Sequence, residues 1–193
     1  MLKKVAKIGL VDCDNTLSDW VGWVGKRLDR DPINPNAFTL EEMYGLSSDQ
    51  ALKLVMDPAG YSSTRLRPIP HSSRVLNNLY EAGYCLWYIS AAPIAWVTHR
   101  RIWMGRNKFP LIENGHPNTM LLHLDNRANK IEWILEHGRE AWFIIDDQID
   151  YLDAAATAGI PNRFLLNALH NLNIFTMDHT RVSKWSEIQR ALV

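Results

Sequence analysis

Short apolar runs alternate along the chain with stretches in which apolar residues recur every three or four positions. The runs are Val5–Val11, Tyr84–Ile89, Thr119–Leu122 and Ala141–Ile145, with Arg163–Leu166 a weaker fifth. Near-continuous apolar runs of this length suit strands buried on both faces, as in a parallel sheet. Ser72–Ala82 carries Val75, Leu76, Leu79 and Tyr80 at helical spacing and stops at Gly83. Further helices are predicted over Ala95–Asn107, just after Pro93, over Asn126–His137, and over Asp150–Ala158. A last helix runs to Leu192 with Ser183 as its cap. Strands alternating with helices predict an α/β, doubly wound, Rossmann-like parallel sheet.

One stretch breaks the alternation. Residues 18–70 are too many for a connecting loop in a compact domain. Helical patterns at Trp20–Leu28, Thr39–Gly45 and Ser48–Val55, parted by Pro32, Pro35, Pro58 and Gly60, predict a small helical cap inserted after the first strand. The expected division is therefore a core of 1–17 and 71–193 and a cap of 18–70.

Composition narrows the class without changing that picture. The 193 residues are 47% hydrophobic and 22% charged, as in ordinary globular proteins. Lys+Arg and Asp+Glu number 21 each, a balance that argues against a dedicated nucleic-acid partner or a polybasic membrane-surface protein. A small anionic substrate needs only a few local charges. Cys13 and Cys85 make no disulfide framework, and Cys13, alternating away from its flanking aspartates, reads as a buried thiol. No apolar run approaches the ~20 residues of a membrane span, and the opening MLKKVAKIGLVDCDNT reaches Asp12 too soon for a secretory signal. The expected location is the cytoplasm.

The polar residues at the strand ends carry the chemistry. Ile8–Leu17 reads IGLVDCDNTL and delivers Asp12 and Asp14 at the C-terminal end of the first strand, where open α/β sheets bind ligands. Asn15 tolerates the left-handed conformation of a tight turn. Ser90 ends the second strand, and with the amides of Ala91 and Ala92 it can hold a phosphate oxygen near a helix start. Lys130 lies in the opening of the next helix, where the dipole disfavours a cation and an anion would explain it. Ile144–Asp150 reads IIDDQID, and the adjacent carboxylates Asp146 and Asp147 need a compensating cation, for which hard oxygen ligands favour Mg²⁺. Capping could explain each motif singly, Asp150 included. It does not explain their order.

DCDNTL (Asp12–Leu17), Ser90, Lys130 and IIDD (Ile144–Asp147) resemble the four motifs of the haloacid dehalogenase (HAD) superfamily, over a core from Val5 to about Leu165. More finely, the chain resembles the 5'(3')-deoxyribonucleotidases, with a helical cap between the first two motifs and an NALHN (Asn167–Asn171), VSKWSEI (Val182–Ile188) ending. It departs from them in Gln148 where Arg is frequent, in a longer SAAP second motif (Ser90–Pro93), and in Asn15 where Gly is usual. The resemblance implies a Mg²⁺-dependent phosphatase with an aspartyl-phosphate intermediate. It implies Asp12 as nucleophile, and Asp14 as the acid for the leaving alkoxide and then the base for water. The metal would be held by Asp12, the backbone carbonyl of Asp14, and Asp146. Asp147 would orient a metal-bound water or Lys130, while Ser90, Ala91 and Lys130 would hold the phosphoryl oxygens. The expected substrate is a nucleoside monophosphate, and a homodimer is compatible with this reading.

Alternatives are another small phosphate such as a sugar phosphate, or a non-catalytic HAD-like binding module. A polynucleotide end fits less well, for want of basic excess. Among the eight tryptophans, Trp87, Trp142 and Trp185 suit core positions. Trp20 and Trp23 follow the aspartate loop closely enough to stack on a base, with Phe38, Tyr44 and Tyr61 the next candidates. Arg100 and Arg101 are placed to reach a phosphate or to face solvent. The seven histidines show no zinc-binding spacing.

Overall fold

Six parallel strands form one sheet in the order β3-β2-β1-β4-β5-β6, in a computed structural model that describes residues 7–57 and 66–193. The strands are β1 (Lys7–Val11), β2 (Tyr84–Ser90), β3 (Thr119–His123), β4 (Ala141–Asp146), β5 (Asn162–Leu166) and β6 (Thr180–Val182). The expected sheet is present, and β6 adds an edge strand that three residues of mixed polarity did not announce. The expected start of β1 at Val5 lies outside the described residues.

Alternation along the strands divides the core in two. Val11, Leu86, Tyr88, Phe143, Ile145 and Phe164 face one hydrophobic cluster, and Leu10, Ile89, Ile144 and Leu165 face the other. The first face packs against α4 (Ser72–Glu81) and α8 (Trp185–Leu192), the second against α6 (Arg127–His137) and α7 (Ile149–Thr157). Helices thus cover both sides, as a parallel sheet requires. Gly9 is needed for close approach: a Cβ there would lie 2.0 Å from the Phe143 ring, beside the irregular register between β1 and β4.

Among the described residues between β1 and α4 lie three helices: α1 (Trp20–Leu28), α2 (Leu40–Tyr44) and α3 (Ser48–Met56). Asp19 caps α1 by accepting from the Gly22 amide at 3.1 Å, and Ser47 and Gln50 form a reciprocal capping box on α3. Their buried residues Trp20, Trp23, Val24, Met43, Tyr44 and Leu54 continue the first cluster.

The helix after β2 begins as a single 3₁₀ turn, Ile94–Trp96, and continues as α5 (Val97–Arg106). Two expectations need correction. Ser183 does not cap α8: Lys184 is its N-cap residue, and the Ser183 hydroxyl instead accepts from Asn167 Nδ2 at 2.8 Å. Trp142 is 41% exposed, because it occupies the one outward position of β4 and lies under Lys7. Trp185 is fully buried, and its indole N–H donates to the Thr16 carbonyl at 3.2 Å, tying α8 to the aspartate loop.

Candidate active site

Parallel pairing places the C-terminal ends of three adjacent strands side by side. Val11 registers with Tyr88 and Ile145, so Asp12, Ser90 and Asp146 emerge along one edge. The chain then turns at Asn15 (φ 57°), whose side-chain oxygen accepts from the Val21 amide at 3.0 Å and anchors the start of α1. The left-handed Asn15 expected from the sequence is thus a structural hinge of the loop.

Lys130 lies four residues past the Asn126 cap of α6 and is fully buried rather than solvated. Its Nζ donates to Asp12 Oδ1 at 2.6 Å and to Asp146 Oδ2 at 2.8 Å, and sits 4.0 Å from the Tyr151 ring centroid. Burial opposes its charge, but Asp12 and Asp146 outweigh that cost and raise its pKa, so the ammonium is held. Burial pushes Asp12 up to about 7 against the pull of Lys130. Asp147 is raised well above the carboxylate range by burial and then by its neighbours Asp12 and Asp146.

Asp12, Asp146 and Asp147 each offer a carboxylate oxygen within 4.8 Å of the others, and all three are buried. Asp12 Oδ2 and both carboxylate oxygens of Asp147 have no hydrogen-bond partner among the described residues. Three buried carboxylates face one lysine, with hard oxygens converging and His170 Nε2 3.3 Å from Asp147 Oδ2. That donor set fits a divalent cation such as Mg²⁺, and the cation would remove the repulsion that raises these acids. The sequence left Asp147 in an orienting role; the geometry puts its oxygens in the cluster itself. His170 and Asn171 fix it from behind. The Asn171 side-chain amide donates to the Asp147 carbonyl at 2.7 Å, and His170 Nε2 approaches the same carbonyl at 3.1 Å.

Above this cluster opens a cavity of about 690 Å³. Asp12, Asp14, Ala91 and Ala92 line its floor, and Trp20, Phe38, Leu52, Val55, Met56 and Trp96 contribute apolar wall. Trp20 stacks on Trp23 (4.9 Å, 24°) and tilts against Trp96 (5.0 Å, 54°). Trp23 is not among the lining residues; it backs Trp20, with Arg27 over its ring at 5.2 Å. Tyr44 is also withdrawn, buried with its hydroxyl donating to the Val21 carbonyl at 2.9 Å. Tyr61 lies outside the described residues.

Ser90 is buried, and its Oγ accepts from the Ala92 amide at 3.1 Å, so the amide offered above to a phosphate oxygen already has a partner. Arg100 and Arg101 part company. Arg101 pairs with Glu113 at the surface, whereas Arg100 is fully buried with Nη2 2.6 Å from Asp14 Oδ2. The sequence suggested a phosphate or solvent for Arg100; its partner is Asp14. Burial raises the Cys13 thiol to about 12, so it is an inert buried thiol.

No protein-family model matches the chain, and no curated protein matches it. Solved structures do. A HAD-superfamily hydrolase of subfamily IA, variant 1, from Geobacter sulfurreducens PCA matches at TM-score 0.57 and 13% identity, over 99% of this chain and 98% of that one. A protein described as a HAD-hydrolase, YfnB from Bacillus subtilis bound to magnesium, matches at 0.57 and 14%, over 98% and 99%. One described as a predicted phosphoglycolate phosphatase from Haemophilus somnus 129PT matches at 0.64 and 14%, over 99% and 100%. With its six-stranded parallel sheet covered by helices on both sides, the chain has the Rossmann-like α/β fold of the HAD-superfamily hydrolases.

Proposed function

We propose that the protein is a Mg²⁺-dependent phosphomonoesterase that hydrolyses nucleoside monophosphates through an aspartyl-phosphate on Asp12. The 18–70 insert would serve as a cap over a core of 1–17 and 71–193. The observation that carries this reading is the buried Asp12–Lys130–Asp146–Asp147 cluster, which reaches an aromatic-walled cavity through Asp12. Asp12 and Asp146, with the backbone carbonyl of Asp14, would hold the cation, and Asp147 is close enough to add an oxygen. Bound there, Mg²⁺ would supply charge neutralisation between the carboxylates and an incoming phosphate dianion.

The remaining chemistry belongs to the chain. Lys130 fixes Asp12 through Oδ1, and Oδ2, without a hydrogen-bond partner, is the nucleophilic oxygen. As it bonds to phosphorus, the ester P–O bond breaks and Asp14 gives its proton to the leaving alkoxide. Asp14 then takes a proton from water as the water oxygen attacks phosphorus and the Asp12–phosphorus bond breaks. Ser90, Ala91 and Lys130 hold the phosphoryl oxygens, where fixed donors count most in a site shielded from water.

A volume of about 690 Å³ lies within the range of small-molecule sites, and its aromatic and aliphatic wall suits a planar base joined to a phosphate. Phosphate release from a panel of nucleoside monophosphates and sugar phosphates tests the reading. Nucleotides should be turned over fastest, with loss on chelation and recovery with Mg²⁺. Equal rates on sugar phosphates would remove the nucleotide assignment. No release from any substrate would leave a binding module.

A further inference from the structure

Arg100 sits one helical turn beyond Trp96, so the two side chains share a face at the start of α5. Trp96 lines the cavity and tilts against Trp20, while Arg100 is fully buried and reaches Asp14. Asp14 itself lines the cavity and keeps a side chain 26% exposed. One rigid element therefore touches both the wall that would receive the non-phosphate half of a substrate and the carboxylate facing it. Lys130 serves a different pair of acids, Asp12 and Asp146, so Arg100 is not duplicating its work.

A charged arginine without exposure needs a reason, because the same volume filled with apolar atoms costs less to bury. The described surroundings keep the Arg100 charge directed at Asp14. His123, on β3 close to both, is held neutral: burial and then the Arg100 guanidinium lower its pKa to about 4. Its Nδ1 donates to the Pro93 carbonyl at 3.1 Å, which braces the turn from which α5 starts. Asp125 braces it from the other side by accepting from the Ile94 amide at 2.7 Å.

We infer that Arg100 is a positioning residue that holds Asp14 in the rotamer from which it delivers a proton to the leaving-group oxygen. The inference rests on Asp14 being the acid–base residue of the proposed phosphatase. The charge-assisted contact from Nη2 to Asp14 Oδ2 comes from a planar guanidinium immobilised by burial, which places that oxygen more firmly than a lysine ammonium on a flexible stem would. General acid catalysis contributes about 10²–10⁴-fold, and only where the leaving group needs the proton. Arg100 therefore matters in proportion to the basicity of the leaving group.

The test compares p-nitrophenyl phosphate with phenyl phosphate, two substrates of nearly the same shape whose leaving phenols differ in acidity. kcat/KM reports steps up to leaving-group departure, and kcat includes hydrolysis of the phosphorylated Asp12. In Arg100→Met, kcat/KM for phenyl phosphate should fall about tenfold or more, with less than about a threefold change for p-nitrophenyl phosphate. kcat should fall on both, because both share the water step that uses Asp14 as base. Arg100→Lys should give an intermediate ratio, and it carries the comparison alone if Arg100→Met does not fold. Equal losses of kcat/KM on the two esters, or a wild-type ratio in the folded variants, would overturn the inference and make Arg100 merely structural. Absence of turnover in the wild type, by contrast, would remove the phosphatase reading and this inference with it.

Discussion

Beneath the floor of the cavity, Asp12 and Asp146 at strand ends and Lys130 on α6 are held in a buried ion-pair network. At its wall, Trp20, Phe38, Leu52 and Met56 come from the stretch between β1 and α4, and Phe38, Leu52 and Met56 are 48%, 58% and 52% exposed. The floor is held by strand ends that sheet register brings together and by the buried Lys130; the wall is held by short helices whose open side presents apolar groups to the cavity. Preorganised charge suits the chemical step, which asks for fixed dipoles. An adaptable apolar wall suits recognition of the part of the substrate that does not react. Changes at the floor should act on turnover whatever the substrate. Changes at the wall should act on one substrate against another.

The largest expected effect is at the centre of the floor. On the proposed mechanism, Asp12→Asn keeps the shape but removes the nucleophile and weakens the cation site. Turnover should fall by at least about 10³-fold on nucleotides and p-nitrophenyl phosphate alike, with circular dichroism unchanged. Activity within tenfold of wild type would show that Asp12 is not the nucleophile.

Next comes Lys130. Removing one partner of a buried ion pair leaves uncompensated charge and costs about 3–5 kcal/mol of stability. Lys130→Met should therefore lower both Tm and turnover, and its loss of turnover should exceed that of Ser90→Ala, for which about 10²–10³-fold is expected. A milder effect than Ser90→Ala would remove Lys130 from the phosphate-holding machinery and leave it a structural lysine.

Trp20→Ala moves the test to the wall. Stacking on a base contributes about 1–3 kcal/mol, so kcat/KM for nucleoside monophosphates should fall tenfold or more. Turnover of p-nitrophenyl phosphate, which has no base, should change much less. Trp23→Ala, behind Trp20, should lower Tm without separating the two substrates. Equal losses on both substrates in Trp20→Ala would make it packing for the insert, and the floor–wall distinction would fail there.

That distinction also explains what the sequence could reveal. Apolar runs ending in Asp12, Ser90 and Asp146 mark strand ends directly, because register in a parallel sheet brings such ends together. Lys130 was visible as a lysine out of place for the helix dipole, although its complete burial was not. Arg100 and His170 carry no such mark. Each sits in an ordinary polar stretch and gains its partner only when α5 or the segment after β5 folds back on the loop. The wall residues fall in the stretch that breaks the strand–helix alternation, but the sequence does not separate those that line the cavity from those behind them. Trp20 and Trp23 are three apart on one helix, and packing alone put the first in the cavity and the second behind it. β6 and the start of α8 were missed or shifted because Thr180–Val182 is short and Ser183 has the chemistry of a cap without its geometry.

The smallest effect concerns the support of the floor and is read in stability rather than turnover. His123 is largely buried beside Arg100 on α5, Asp14 on the aspartate loop and the backbone of Ala92 and Pro93, and its pKa falls from the ordinary 6.5 to about 4. In the unfolded chain it binds a proton below about 6.5, whereas in the folded protein it stays neutral until about 4. The unfolded state therefore holds more protons between those values, and stability rises with pH across that window. The contribution is fully present above 6.5 and is lost as the pH falls through 4. His123→Gln keeps a donor for the Pro93 carbonyl but cannot titrate. Its Tm should match wild type closely at pH 7.5 and decline less between pH 6.5 and 4, because the variant has no imidazole to protonate on unfolding. The wall residues Leu52 and Met56 have no titratable group, so Leu52→Ala should leave the shape of the wild-type pH profile unchanged. Parallel profiles for wild type and His123→Gln would mean that His123 takes up its proton in the folded protein at the same pH as in the unfolded chain, so that burial beside Arg100 does not keep it neutral.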